Sequence, residues 1–192
     1  MRQIDAGEIE EKIAGLCLSA NVCLNEDIVL SLEEAVKNED NPLAVDILQK
    51  CAENIRIAKE ENIPVCQDTG MAVVFLEIGQ DVHIIGNLMD AVNRGVSRGY
   101  TQNYLRSSVV SDPLMRKNTG DNTPAVIHTL IVTGDKIKIK FMPKGFGSEN
   151  MSRIKMLSPA DGIEGAKKFV LGESGQYRGC AESRKNGCGL RI

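Results

Sequence analysis

The segment Pro64–Gly70 reads PVCQDTG and places a thiol, an amide and a carboxylate in three consecutive residues. Because it lies between a predicted helix end and a predicted strand, Cys66 can present its sulfur to a cleft. Gln67 and Asp68 could hydrogen-bond a ligand, and Asp68 could move a proton. A simple turn, in which Asp68 and Thr69 hydrogen-bond the local backbone, accounts for the same residue types equally well.

Two later segments could bind an anion. Arg106 stands in the sequence YLRSS, and its guanidinium suits two-point binding of a carboxylate, although a lone surface arginine fits too. The segment KGFGSEN, residues 144–150, could place backbone N–H groups around an anion, with Gly145 and Gly147 allowing close approach. It lacks the P-loop pattern, and an ordinary glycine loop is the alternative interpretation.

Three helices are predicted in the first sixty residues. Apolar side chains recur at three- and four-residue spacing over residues 9–20, 28–36 and 43–58. The third helix should end near Asn62, because Pro64 disfavours helical geometry at the residue before it. We interpret three cysteines as core residues: Cys17 and Cys51, which lie on these apolar stripes, and also Cys23.

The rest of the chain predicts strands and shorter helices. A buried strand is expected over residues 71–78 with 82–85 as its candidate partner, followed by a helix over 87–98 and a long polar loop over 99–124. Gly134-Asp135 between two β-rich runs predicts a hairpin near 125–141, and Asp161 with Glu164 predicts a capping box. The expected fold class is α+β, with N-terminal helices followed by antiparallel strands.

Composition excludes several function classes. Lys plus Arg is 23 and Asp plus Glu is 26, and this net charge of −3 argues against nucleic-acid binding. The apolar runs of about eight residues are too short for a bilayer, and the N-terminus lacks a signal-peptide core, so a cytoplasmic location is expected. The six cysteines form no CxxC pair, which disfavours a zinc ribbon or a thioredoxin-type site.

The order of five segments resembles one known family. PVCQDTG, YLRSSVVSDPL, NTGDNTPA, MPKGFGSENMS and LSPADGIEGAKKFV follow one another along the chain. Over about residues 5 to 171, the chain resembles the α subunit, or N-terminal region, of class I iron–sulfur-dependent fumarate hydratase and L(+)-tartrate dehydratase. The resemblance implies a hydro-lyase of small dicarboxylates that uses a [4Fe–4S] cluster held by three cysteines as a Lewis acid.

The resemblance also implies roles for individual residues. Cys66 would be one cluster ligand. Gln67 and Asp68 would contact the substrate, with Asp68 as a proton donor to the leaving hydroxyl. Arg106 would pair with a substrate carboxylate. Gly145 and Gly147 would let the backbone approach the substrate and the cluster.

The final segment departs from the family pattern. Residues 172–192 hold five glycines, four basic residues and two cysteines, so we expect a poorly ordered tail after a domain over residues 1–171. Cys180 and Cys188 lack the family's sequence context and are given no ligand role, which leaves two cluster ligands missing. This pattern is interpreted as a frameshift, truncation or misassigned gene end. The remaining catalytic groups would belong to a β subunit, so the chain alone is expected to be inactive.

The sequence therefore predicts the α subunit of a hydro-lyase that converts fumarate to malate in a higher oligomer with β subunits. L(+)-tartrate is the alternative substrate. A truncated, non-catalytic assembly relative is a second hypothesis. A thiol-based redox protein using Cys66 with Cys180 or Cys188 is a third. Iron content separates the first two hypotheses, and a reactive pair of low-pKa thiols would identify the third.

Overall fold

The computed structural model describes residues 1–146 and 153–176, the last four without their side chains. The chain divides into two compact units, residues 1–146 and 147–192. The helices and strands follow in chain order: β1 (Arg2–Asp5), α1 (Ala6–Val22), α2 (Glu26–Asn38), α3 (Pro42–Glu61), β2 (Met71–Gly79), β3 (Val82–Ile85), α4 (Leu88–Gln102), β4 (Val126–Val132), β5 (Ile137–Lys144) and α5 (Gly162–Gln176).

The first unit is an α+β fold, which confirms the predicted class. Its three-stranded sheet has the order β4–β2–β5, so the apolar strand β2 lies in the centre. Alternate residues of β2 point to one face, where they are buried with side chains of α1 and α4. The β2 residues on that face are Ala72, Val74, Leu76 and Ile78.

The predicted hairpin near 125–141 is wrong. β4 runs parallel to β2 on one side, and β5 runs antiparallel to β2 on the other side, so β4 and β5 are not neighbours. The Gly134-Asp135 connection instead crosses over the end of β2, where Gly79 N–H donates to the Lys136 carbonyl at 2.8 Å and Gln80 N–H donates to the Val132 carbonyl at 2.8 Å. Turn residues and two β-rich runs are common to both arrangements, and only the third strand distinguishes them.

A second strand pairing also differs from the prediction. β3 does not pair with β2 but lies parallel to β1, with Ile4 opposite Ile84. The four residues of β1 are too few and too polar to give a sequence signal, because only Ile4 among them is partly buried. The antiparallel arrangement expected for the strands therefore holds for β2 with β5 but not for β1 with β3 or β2 with β4.

The three predicted N-terminal helices are confirmed, but their packing is uneven. α1 packs against α4 and the sheet, and Cys17 is fully buried there, as predicted. No residue of α2 is buried, and Ala58 is the buried residue of α3. Cys23 and Cys51 are exposed, so their interpretation as core residues is wrong. Cys23 follows the last turn of α1, and Cys51 lies on α3, whose apolar stripe is only partly covered.

The start and the end of α3 are both defined by local sequence signals. Asn41 caps its start by accepting from Leu43 N–H at 3.0 Å, and Pro42 occupies the first turn. At the other end, Asn62 adopts a left-handed conformation with φ +54°, and Ile63 N–H donates to the Ala58 carbonyl. The chain then enters the segment that contains Cys66.

The second unit is described over residues 153–176. A 3₁₀ turn, Pro159–Asp161, precedes α5, and Ser158 donates through both its N–H and its hydroxyl to Asp161 at 2.7 Å. These hydrogen bonds lower the pKa of Asp161. The capping box is therefore Ser158 with Asp161 rather than the predicted Asp161 with Glu164. α5 continues to Gln176, into the segment expected to be poorly ordered, and residues 177–192 lie outside the description.

Among the described residues, the stretch Ala6–Asn38 is long and apolar enough to cross a membrane. It consists of α1 and α2, which are separated by residues 23–25. The buried side chains of α1 belong to the core of the first unit.

Because the β4–β5 connection passes close to the end of β2, we expect position 79 to require glycine. A Cβ atom there would lie 2.3 Å from the Gly134 carbonyl oxygen and 2.7 Å from its carbon. We expect Gly79→Ala to lower the free energy of unfolding by about 2–3 kcal/mol, because backbone rather than a side chain must move. Urea unfolding followed by circular dichroism measures this change.

Gly15→Ala is the matched control, since Gly15 lies on α1 with nothing within 4 Å of a Cβ atom. This substitution should stabilise the protein by about 0.5–1 kcal/mol. An equal effect of the two substitutions would contradict the described crossing.

Candidate functional site

The segment Pro64–Gly70 is an ordered connection between α3 and β2. Val65 N–H donates to the Asn21 carbonyl of α1 at 2.9 Å, and the Asn54 side chain of α3 donates to the Val65 carbonyl at 2.9 Å. The segment is thereby fixed on both helices just before Cys66. Cys66 and Gln67 are exposed, as a residue that binds a ligand must be.

Asp68 forms both the local turn and a long-range contact. Its Oδ1 accepts from Gly70 N–H at 3.1 Å, which is the simple turn predicted as an alternative. Its Oδ2 accepts from Phe146 N–H at 3.3 Å, and a Cβ atom on Gly145 would lie 2.9 Å from the same oxygen. The segments of Asp68 and Gly145, 77 positions apart in the sequence, are therefore in contact.

Gly70 is a point of close backbone approach. Its φ is +62°, and a Cβ atom there would lie 2.5 Å from both the carbonyl carbon and the carbonyl oxygen of Lys144. A side chain is excluded on conformational and steric grounds together. The Gly70 carbonyl accepts from the Asn122 side chain at 3.0 Å and from the Tyr100 hydroxyl at 3.2 Å.

Arg106 lies beside this loop through its backbone. The Thr69 hydroxyl donates to the Arg106 carbonyl at 3.0 Å, and Thr69 is buried. The Arg106 side chain is exposed. The structure thus brings together Asp68, Gly145 and the backbone of Arg106, with Cys66 and Gln67 directly before Asp68. Gly147 lies outside the described residues, as do Cys180 and Cys188.

Two buried residues that support the site were missed by the sequence analysis. Tyr100 is fully buried in α4, and its hydroxyl donates to the Thr69 carbonyl at 2.8 Å. Burial raises the pKa of this hydroxyl, so it remains a donor at neutral pH. The spacing Val92, Val96, Tyr100 continues the apolar stripe of α4 by one turn, and ending the predicted helix at residue 98 removed that signal.

The second missed residue is Asn122, which is fully buried in the long polar loop. Its sequence, NTGDN, is typical of an exposed turn, and no periodicity separates a buried asparagine from its polar neighbours. Only contacts between distant segments identify it.

The cavity between α2 and α3 does not coincide with this site. Its volume is about 640 Å³, and none of the predicted site residues lines it. Its lining residues are Leu24, Glu26, Val29, Leu32, Glu33, Ala52, Ile55, Arg56 and Lys59. The candidate site is instead an exposed surface formed by the loop at Cys66 and the segments against it.

The described residues supply one cysteine to the site. Over residues 1–146 and 153–176, no three His, Cys, Asp or Glu side chains lie close enough together to hold a metal ion. A three-cysteine cluster site is therefore not complete within the part of the chain that the structure describes.

Comparison with known proteins decides the family. The sequence model described as Fumarate hydratase (Fumerase) matches residues 10–181. The chain belongs to the fumarate hydratase family. It is 40% identical over 171 residues to the "Putative L(+)-tartrate dehydratase subunit alpha" of Methanocaldococcus jannaschii, over 85% of this chain and 60% of that protein. It is 27% identical over 173 residues to the "L(+)-tartrate dehydratase subunit alpha" of Escherichia coli, over 88% of this chain and 57% of that protein.

The family match confirms the resemblance that the ordered motifs indicated. It spans the segments of Cys66, Arg106 and Gly145, which the structure of this fumarate hydratase family member brings to one loop cluster. The chain covers less than two thirds of the length of either relative.

Thiol reactivity should separate the cysteine of the site from the cysteine of the core. Burial raises the pKa of the Cys17 thiol to about 12, whereas Cys23, Cys51 and Cys66 are exposed. At about pH 8, we expect iodoacetamide to alkylate the three exposed thiols at least ~100-fold faster than Cys17. Peptide mass spectrometry of the metal-free protein measures each rate separately.

Unfolding in urea is the control and should bring the Cys17 rate up to that of the other thiols. Native-state alkylation of Cys17 at the rate of Cys66, or protection of Cys66 in the metal-free protein, would contradict the described burial.

Proposed function

We propose that this chain is the α subunit of a hydro-lyase that reversibly adds water to fumarate to form malate. One observation carries the proposal: the Asp68 carboxylate lies against the backbone at Gly145 and Phe146, while the next residue, Thr69, binds the backbone of Arg106. These contacts support a site in which Asp68 donates a proton and Arg106 binds a carboxylate of a dicarboxylate substrate.

Each exposed side chain has a different role in substrate binding. The Arg106 guanidinium binds one carboxylate of the substrate through paired N–H donors. Gln67 binds the substrate through its amide, and the absence of a side chain at Gly145 lets the backbone approach the Asp68 carboxylate. This arrangement positions the carbon that carries the hydroxyl near the Asp68 carboxyl group.

In the dehydration direction, the reaction needs one base and one acid. A base takes a proton from the carbon next to the carbinol carbon, the carbon–oxygen bond breaks, and the double bond forms. The leaving hydroxyl takes a proton from the Asp68 carboxyl group and departs as water. We assign the base to a β subunit, since the two tartrate dehydratase relatives are named as α subunits. Hydration is the reverse of these steps.

Cys66 is proposed as one thiolate ligand of a [4Fe–4S] cluster, which would supply a Lewis acid when bound. The described residues do not complete its three-cysteine set, so the other ligands must come from outside them. Exposure of Cys66 and its free thiol support this role. Free, exposed cysteines also support the proposed cytoplasmic, reducing location.

L(+)-tartrate dehydration is the second candidate, favoured by the names of the two relatives. It removes water from a dicarboxylate with one additional hydroxyl, so the same groups would serve. Parallel assays with fumarate, L-malate and L(+)-tartrate distinguish the two reactions by their kcat/KM values.

Replacement of Asp68 tests the proton donor. The chain is co-expressed with a β subunit of the same family, reconstituted anaerobically with iron and sulfide, and assayed with all three substrates. We expect Asp68→Asn to lower kcat about 10²- to 10⁴-fold, because the amide cannot protonate the leaving hydroxyl. Arg106→Lys should mainly raise KM, by about tenfold or more, because two-point carboxylate binding is lost.

Asp135→Asn and Arg56→Lys are matched controls at exposed positions on the β4–β5 connection and α3. Both should stay within about twofold of the wild type. Two outcomes count against the proposal: an iron-loaded wild-type complex that is inactive on all three substrates, or an Asp68→Asn variant with normal kcat.

Replacement of Cys66 tests the metal role separately. After anaerobic reconstitution, the wild-type complex should hold about four iron atoms and four labile sulfides per chain, and Cys66→Ser should hold less than about one. Cys51→Ser replaces another exposed cysteine and should retain the wild-type content. Equal iron in Cys66→Ser and the wild type would remove Cys66 from the ligand set.

A further inference from the structure

The Asn122 side chain joins the loop of Asp68 to the segment of Arg106. Its Nδ2 donates to the Gly70 carbonyl at 3.0 Å. Its Oδ1 accepts from Ser108 N–H at 2.8 Å and from Val109 N–H at 3.2 Å. One amide group therefore links the loop of Asp68, the segment of Arg106 and the polar loop in which Asn122 itself lies.

An asparagine meets all the requirements at this position. Asn122 has φ +61°, a left-handed conformation that asparagine adopts more readily than most side chains. The site needs a donor toward one carbonyl and an acceptor toward two N–H groups at once. The residue is fully buried, so a charged aspartate would be desolvated there and would face the Gly70 carbonyl without a proton to donate.

The backbone around Arg106 is fixed on both sides. Before it, Leu105 N–H donates to the Tyr100 carbonyl at 3.0 Å. At Arg106 itself, the carbonyl accepts from the Thr69 hydroxyl. After it, Asn122 holds Ser108 and Val109. The Arg106 side chain is thus an exposed group on a rigidly held backbone.

The loop that carries Asn122 is held by its own contacts. Burial would raise the pKa of Asp121, but hydrogen bonds from the Thr123 hydroxyl at 2.7 Å and the Thr123 N–H at 3.1 Å outweigh it and lower the pKa. In the same loop, the Asn118 side chain donates to the Ser107 carbonyl at 2.9 Å. The backbone that carries Asn122 is therefore held in place by hydrogen bonds.

We propose that Asn122 is a positioning residue that fixes the Arg106 segment against the Asp68 loop and so sets the spacing at which a dicarboxylate is bound. The proposal rests on the proposed function for its ligand class. Asn122 is buried and does not touch the substrate. It acts through the backbone of Gly70 on one side and of Ser108 and Val109 on the other.

Asn122→Asp removes one link and keeps the other. The variant retains an acceptor for the two N–H groups but loses the donor to Gly70. Asn93→Asp is the matched control: Asn93 also accepts from a distant backbone N–H, that of Ala125 at 2.9 Å, and its amide nitrogen donates to the Met89 carbonyl of its own helix rather than to a site segment. Both substitutions add one negative charge to a buried or half-buried asparagine.

Three measurements are made on the metal-free chain. Amide hydrogen exchange is compared for residues 68–70 and 106–109 with β2 residues 72–78 as the internal reference. The Kd for L-malate is measured by NMR titration, and the urea midpoint is recorded for each variant. We expect Asn122→Asp to speed exchange about tenfold or more in the two site segments, relative to β2, and to weaken L-malate binding about tenfold.

Asn93→Asp should leave both readouts unchanged relative to β2. A folded Asn122→Asp variant with wild-type exchange and wild-type affinity would overturn the proposal. So would faster exchange spread evenly over β2 and the site, because that is loss of global stability without a positioning role.

Thr69→Val keeps the proposal falsifiable if Asn122→Asp does not fold. It removes the hydroxyl that donates to the Arg106 carbonyl with little change in shape, and it should weaken L-malate binding about threefold in the same direction. An unchanged affinity in Thr69→Val would contradict the proposed coupling. Absence of L-malate binding by the wild type would count against the proposed function, and the exchange pattern would then decide the role of Asn122.

Discussion

The backbone junction at Gly70 is the constraint on which the candidate site depends. Its left-handed conformation and the contact with the Lys144 carbonyl leave no space for a side chain. Its own carbonyl accepts from Tyr100 of α4 and from Asn122. A single residue therefore fixes the loop of Asp68 against the end of β5, against α4 and, through Asn122, against the segment of Arg106. Displacement at this point would separate all of them, which is why the site can lie on exposed loops and still have a defined geometry.

The helices could be predicted because their signals are local, whereas the strand pairings were predicted wrongly because they depend on segments far apart in the chain. Apolar periodicity and end signals located the helices, including the end of α3 at Asn62. The strand pairs were predicted from neighbours in the chain, whereas β4 and β5 each pair with β2 between them. Cys51 shows the same limit: an apolar stripe predicts burial only if another element covers it, and none of the described residues buries this thiol.

The candidate site residues could be proposed from the sequence, whereas the buried residues that hold their segments together could not. Cys66, Asp68 and Arg106 stand in motifs whose order indicates the family, and the structure places the segments of Asp68, Arg106 and Gly145 together. Tyr100 and Asn122, which hold those segments, have no distinguishing local pattern, because their importance lies in hydrogen bonds across 30 positions and 52 positions of sequence. Buried polar groups of this kind must be paired, and their partners are visible only in the folded chain.

Under the proposed function, the loop of Cys66 and Asp68 and the segment of Arg106 form one dicarboxylate site. Chemical-shift mapping of L-malate on the isotope-labelled, metal-free chain tests it most directly, since it needs neither the cluster nor a β subunit. We expect the largest shifts at residues 66–70, 106–109 and 145. Largest shifts at the cavity between α2 and α3, with none in these three segments, would contradict it.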